Sequence, residues 1–337
     1  MQHLFEELQS HLNSGDHQAA LEMILNIEKL GEIPHNMESI KYQLSWNLGE
    51  YDLALQSARR LIELEPDNAS TFRLRNHILL NKCHARASID DFMDDVDVKS
   101  SGKKFVMSAM PKSGSTFLAH SIAKLHDLSI FAYFLRGDES EQELNLFIMA
   151  GTITLPSSTQ QHFRATETNI QLLQAFNIEP VVLSRNIFDA LVSMADMVEK
   201  THLPVAFFQD WIADVGREKC LEAVVCKWTH WYIEYYVSWQ RVIRQKRLSP
   251  LLLYYEDVMK DKIGTLQQIT KHCGLEQKTT GEIEEAIRAT EDDKETSRIN
   301  VGRSGRGREQ LSQSQIDFID RIADVYRGQY DLSPIGL

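Results

Sequence analysis

The sequence predicts an α/β domain, a parallel sheet flanked by helices, preceded by a small all-α domain built from repeats. Three observations carry that prediction. Past residue 103, short apolar runs alternate with segments of helical periodicity, the pattern of parallel strands joined by crossover helices. Two of those runs, PVVLS at 180–184 and LLLY at 251–254, are continuously apolar, as strands covered on both faces must be. Before residue 85 the pattern is helical, and it matches itself at an offset of 34 residues.

Composition bounds the function. The 337 residues are 43% hydrophobic and 25% charged, enough for two domains with a sizeable core. The net charge of −12 is uneven, since residues 1–102 hold 9 Lys and Arg against 17 Asp and Glu. That balance argues against a nucleic-acid partner, which needs a basic surface. A small anionic ligand stays possible, because a few local cations and N–H groups decide its binding. Cys83, Cys220, Cys226 and Cys273 show no paired metal spacing and read as reduced thiols. Glu6 and Glu7 stand where a signal peptide would be apolar, and no window approaches the roughly 18 apolar residues of a transmembrane segment. The expectation is a cytoplasmic protein.

In the first domain, residues 1–85, Gly15-Asp16-His17-Gln18-Ala19-Ala20 matches Gly49-Glu50-Tyr51-Asp52-Leu53-Ala54, and the second copy runs on into LIELEPDN at 61–68. Glycine lets the helices of a pair turn, alanine lets them pack closely, and Pro66 ends the second helix. These residues resemble tetratricopeptide (TPR) repeats, whose period is about 34 residues. Two copies cannot bury their faces alone. They are expected to pack on the next domain or to hold a protein partner. An acidic linker follows at 86–102, with Asp90, Asp91, Asp94, Asp95 and Asp97 before Ser100-Ser101-Gly102. The α/β domain is placed at 103–337. Its predicted strands are 104–109, 128–134, 180–184 and 251–254, and its predicted helices are 115–126, 141–150, 186–199, 218–245, 258–273 and 312–328.

The chemistry starts at Pro111–Leu118, PKSGSTFL, between the first strand and its helix. A loop of small residues with one lysine, opening a helix, offers backbone N–H groups and the positive end of the helix dipole to a phosphate-like group. Lys112 precedes Gly114 and no Gly-Lys-Ser/Thr follows, the reverse of the ATP- and GTP-binding loop. Arg185, at the end of the PVVLS strand, is suited to hold an anion in bidentate fashion. Ser193, two turns into the next helix, adds a hydroxyl, and Asp189 is expected to pair with Arg185 and orient it. Together the two elements imply a ligand with two separated phosphates.

On these residues the chain resembles the sulfotransferase family that uses 3′-phosphoadenosine 5′-phosphosulfate (PAPS). The 5′-phosphosulfate loop of that family is matched at 111–116, and its 3′-phosphate element at Arg185 and Ser193. Its late glycine loop is matched by Gly302 and Gly305, although Asn300 and Val301 stand where the family often has Arg and Lys. Arg298, Arg303, Arg306 and Arg308 supply charge there instead, Arg303 foremost. The resemblance spans about residues 103–330 and implies a P-loop-like sulfotransferase domain. It implies that Lys112, Ser113, Gly114, Ser115 and Thr116 bind the donor, with Lys112 also catalytic. It implies His162 as catalytic base, 23 residues before Arg185. The string Lys200-Thr201-His202-Leu203-Pro204 is spelled like the surroundings of the family histidine but follows the Arg185 helix. Tyr255, in Tyr255-Glu256-Asp257, is expected to hold the nucleotide, and Phe117 stands where relatives often stack a tryptophan on adenine.

Trp228, Trp231, Tyr232, Tyr235, Tyr236 and Trp239 recur at helical spacing and read as a core face. The family implies PAPS as sulfuryl donor, 3′,5′-diphosphoadenosine (PAP) as product and no metal. The acceptor is a hydroxyl or amine of a small molecule, glycan, lipid or peptide. Two rival readings are a P-loop kinase or other nucleotide-binding enzyme, which lacks its lysine motif here, and a TPR adaptor with a degenerate nucleotide domain.

Overall fold

The computed structural model describes residues 2–64, 102–133, 141–152, 156–201, 216–293 and 305–337. The chain divides into two units, Met1–Ser101 with Leu146–Thr154, and Gly102–Asn145 with Leu155–Leu337. Most of the predicted linker, residues 86–101, lies outside the described residues.

The first unit opens with four helices, α1 (Gln2–Ser14), α2 (His17–Glu28), α3 (His35–Asn47) and α4 (Tyr51–Leu64). The match at an offset of 34 has a geometric counterpart. Gly15 and Gly49 both adopt left-handed φ, 74° and 77°. The next residues bond back alike, Asp16 N to His11 O at 3.0 Å and Glu50 N to Ser45 O at 2.8 Å. Ala20 and Ala54 are both fully buried, so each hairpin closes on a small residue. Leu8, Leu21, Ile24, Ile33, Met37 and Leu44 share one core. A charged cluster is buried beside it. Lys41, 2% exposed, lies 2.7 Å from Glu28 and 3.4 Å from Glu38, which has no exposed surface. Arg60 stands 3.7 Å from Glu38 on the other side. Removing one partner of a buried ion pair strands the other, so Lys41→Met is expected to cost this unit about 3–5 kcal/mol in chemical denaturation. A loss under about 1 kcal/mol would mean that Arg60 alone satisfies Glu38.

The second unit is built on a parallel sheet in the order β2-β3-β1-β4-β5. The strands are β1 (Lys104–Ala109), β2 (Ser129–Ile130), β3 (Ser157–Gln161), β4 (Val181–Ser184) and β5 (Leu251–Tyr254). Phe105, Met107 and Ala109 of β1 point into a core with Leu183 of β4 and Leu253 of β5. Helices α5 (Ser115–His126), α11 (Lys262–His272) and α12 (Thr280–Glu291) add Leu118 and Ile122, Leu266 and Ile269, and Ile283 and Ile287 to that core. Among the described residues the remaining α-helices are α6 (Leu146–Gly151, in the first unit), α7 (Glu167–Ala175), α8 (Ile187–Thr201), α9 (Arg217–Arg244), α10 (Tyr255–Lys260), α13 (Gly307–Gln310) and α14 (Gln313–Arg327). Among the described residues no helix is long and apolar enough to cross a membrane.

Several elements differ from the sequence expectation. The strand expected at 128–134 is only two residues long, and the helix expected at 141–150 starts at Leu146. The helix expected at 258–273 breaks at Asp261, whose carboxylate accepts from Gly264 N at 2.8 Å and caps a new helix. Strand β3 and helices α7 and α12 had no sequence expectation; α12 opens on a capping box formed by Thr279 and Glu282.

Candidate active site

The sheet register gathers the predicted residues. Ser108 of β1 pairs with Gln161 of β3, Ala109 with Leu183 of β4, and Ser184 with Tyr254 of β5. The next residues along these strands are the Pro111 loop, His162, Arg185 and Tyr255. All four elements therefore emerge at the carboxyl ends of neighbouring strands, where open parallel sheets bind ligands.

The loop is tightly determined. Ser113 donates to Met110 O twice, from Oγ at 2.6 Å and from N at 3.2 Å. Its hydroxyl proton thus shapes the loop. Lys112 and Gly114 both have left-handed φ, 68° and 80°. For lysine that conformation costs roughly 1–3 kcal/mol and persists only when its surroundings impose it. Here Arg185 Nη1 donates to Lys112 O at 2.8 Å. Gly114 has a second reason to be glycine, because a Cβ would lie 3.0 Å from the Tyr255 ring. Ser115 is buried, Thr116 and Phe117 are half-buried, and Gly114 precedes the first turn of α5. The unsatisfied N–H groups of that turn can hold an anion.

Arg185 is 6% exposed. Its guanidinium carbon lies 4.1 Å from the centroid of the Tyr255 ring, a stacking that fixes the plane of the fork. Nε has no hydrogen-bond partner among the described residues. Ser193 is also buried. Asp189 does not pair with Arg185. Its carboxylate accepts from Gly305 N and Gly307 N, each at 2.7 Å. Gly302 and Arg303, expected to hold the donor, lie outside the described residues, as do Arg298 and His202.

His162 is held from three sides. Gln142 Oε1 accepts from its N at 2.8 Å, and its carbonyl accepts from Gln142 N at 3.1 Å. Nδ1 lies 2.8 Å from Ala109 O. A carbonyl only accepts, so Nδ1 carries the proton and Nε2 of the neutral ring bears the lone pair. The Gln160 amide nitrogen sits 3.5 Å from Nε2. Two residues on, Arg164 pairs with Glu141 at 2.8 Å, and that hydrogen bond holds the guanidinium above its ordinary value.

Sequence reasoning missed the function of helix α9. Its aromatic residues are buried, as expected, yet two phenols also reach the site. Tyr232 donates to Pro111 O at 3.2 Å and Tyr235 to Ser108 O at 2.8 Å. Burial raises both hydroxyls far above their ordinary value, opposed at Tyr232 by the Arg185 charge, so they remain neutral donors. Helical spacing gave no sign of these bonds. Near Phe117, Lys262 Nζ lies 5.3 Å from the ring centroid, another contact with no sequence signal.

Among curated proteins, none matches the chain in a sequence comparison. Among solved structures it is similar to mouse sulfotransferase SULT7A1 complexed with PAP, at a TM-score of 0.51 and 18% identity, covering 70% of this chain and 88% of that one. That likeness establishes a shared fold. The family model of the sulfotransferase domain matches residues 102–325, well over half of the chain. By that match, the protein belongs to the sulfotransferase family.

Proposed function

We propose that the protein transfers a sulfuryl group from PAPS to a hydroxyl or amine acceptor and releases PAP. The observation that carries this reading is the bond from Arg185 Nη1 to Lys112 O at 2.8 Å, which joins the two candidate anion-holding elements at the carboxyl ends of the adjacent interior strands β1 and β4. The residues fit such a donor. Arg185 Nε is buried and unpartnered among the described residues, and Tyr255 closes on Gly114 so that no side chain fills the loop. PAPS supplies a sulfuryl group on a phosphate leaving group, so a bond from acceptor to sulfur forms as the bond from sulfur to the 5′-phosphate oxygen breaks. His162 Nε2 takes the acceptor proton, and Lys112 neutralises the charge gathering on the departing oxygen. Ser113, Gly114, Ser115 and Thr116 bind the 5′-phosphate through N–H and O–H donors, and Arg185 with Ser193 selects the 3′-phosphate. Tyr255 and Phe117 flank the nucleotide, and Gly302 and Arg303 add the late-loop contacts. Preorganised donors of this kind need no metal.

The helical hairpins of residues 2–64 support reading the N-terminal region, 1–85, as TPR-like repeats that recruit a protein partner or a peptide acceptor. The catalytic domain is then 103–337.

Thermal shift separates the readings. PAP is expected to stabilise the protein more than ATP with magnesium or AMP does. Arg185→Ala is expected to weaken PAP binding by about 100-fold, since losing one partner of a buried charged hydrogen bond costs about 2–5 kcal/mol. Greater stabilisation by ATP with magnesium would instead favour the kinase reading, and no shift with any nucleotide would favour the adaptor.

A further inference from the structure

We infer that Asp189 is a positioning residue that fastens the late glycine element to the helix carrying Ser193. The inference rests on the donor reading above. Asp189 and Ser193 are four residues apart on α8 and so share one face. A carboxylate there would repel a phosphate held by Ser193 unless its charge were engaged elsewhere. It is engaged by two backbone N–H groups, Gly305 and Gly307, each 2.7 Å away. Hydrogen bonds to an ionised carboxylate are about twice as strong as neutral ones.

The docking is close. A Cβ on Gly307 would lie 2.3 Å from the carbonyl carbon of Phe188, so only glycine lets the two backbones meet. The Arg308 guanidinium carbon lies 3.9 Å from the Phe188 ring centroid, and Arg306 pairs with Asp196 on the same helix. Asn186 sets the direction of Asp189 by accepting from its N at 3.3 Å through Oδ1, while also accepting from Phe188 N at 3.1 Å. The carboxylate thus stands at a fixed helix start, ready to take the amides of Gly305 and Gly307. An anchored 305–308 segment meets the donor already ordered, whereas a released one must be ordered on binding, at a cost in affinity.

The sign of the effect separates this role from a simple charge. Asp189→Asn removes a negative charge, so a mere electrostatic neighbour would make PAP bind more tightly. Loss of the anchor makes it bind more weakly. Two readouts on the full chain test the proposal, hydrogen exchange over residues 305–308 and PAP affinity by calorimetry. The expected result is faster exchange at 305–308 together with PAP binding weaker by about 10- to 100-fold. Unchanged exchange would overturn the anchor. Faster exchange with equal or tighter PAP binding would overturn the link to the donor site. Absence of PAP binding by the wild-type protein would refute the donor reading and that link together, leaving the anchor to be judged by exchange alone.

Discussion

Replacing His162 by Asn is expected to slow sulfuryl transfer by about 10²–10⁴-fold while PAP binding stays near the wild-type value, the range that a positioned general base contributes. The substitution is chosen for shape. The Asn amide can still donate to Ala109 O, the bond that Nδ1 makes at 2.8 Å. The backbone stays tied to Gln142 on both sides. Only the lone pair on the far ring nitrogen is lost. Transfer kinetics and calorimetry on the same preparation decide the matter. Wild-type turnover would move the base to another residue, and loss of PAP binding in step with activity would make His162 a structural residue.

Replacing Lys112 by Ala is expected to lower turnover by about 10²–10³-fold without unfolding the domain, the effect of removing one preorganised donor from developing charge. The fold survives because the loop is held by groups other than the ammonium. Its carbonyl belongs to Arg185, Ser113 clamps Met110 O, and Tyr232 reaches Pro111 O. Alanine in a left-handed conformation is strained about as much as lysine, so the backbone penalty does not change. A circular-dichroism melt alongside the transfer assay reads both halves of the prediction. A variant that melts like the wild type and turns over like it would remove Lys112 from the chemistry.

Much of this site is legible in the sequence because its parts are extreme. Small residues around one lysine stand out, as does an arginine closing a strand as apolar as VVLS, and the sheet register brings both to the carboxyl ends of adjacent strands. Strand β3 is illegible for the opposite reason. SSTQQ carries no apolar signal, yet Ser157, Ser158, Thr159 and Gln161 have no exposed surface. Their polar groups are satisfied inside the protein. Ser157 Oγ meets Tyr133 OH at 2.6 Å, Ser158 Oγ donates to Ala119 O at 3.1 Å, and Gln161 Oε1 accepts from Tyr133 N at 2.8 Å. Polar residues paired in this way form a buried strand as well as valines do, and no local pattern announces it. Asp189 was misread for a related reason. Arg185 is its nearest candidate along the chain, whereas its partners lie 116 and 118 residues away. The break at Asp261 was legible in principle, since Asp followed three residues later by Gly264 N is an ordinary helix start, but the apolar periodicity runs straight through it.

The hold of Arg185 on the Lys112 carbonyl has a kinetic consequence. In the proposed reaction one guanidinium is both a hand for the far end of the donor and, through the Lys112 carbonyl, a latch for the near end. Variants at this arginine are therefore expected to damage kcat along with KM, and discrimination against nucleotides that lack a 3′-phosphate cannot be tuned there without slackening the lysine turn.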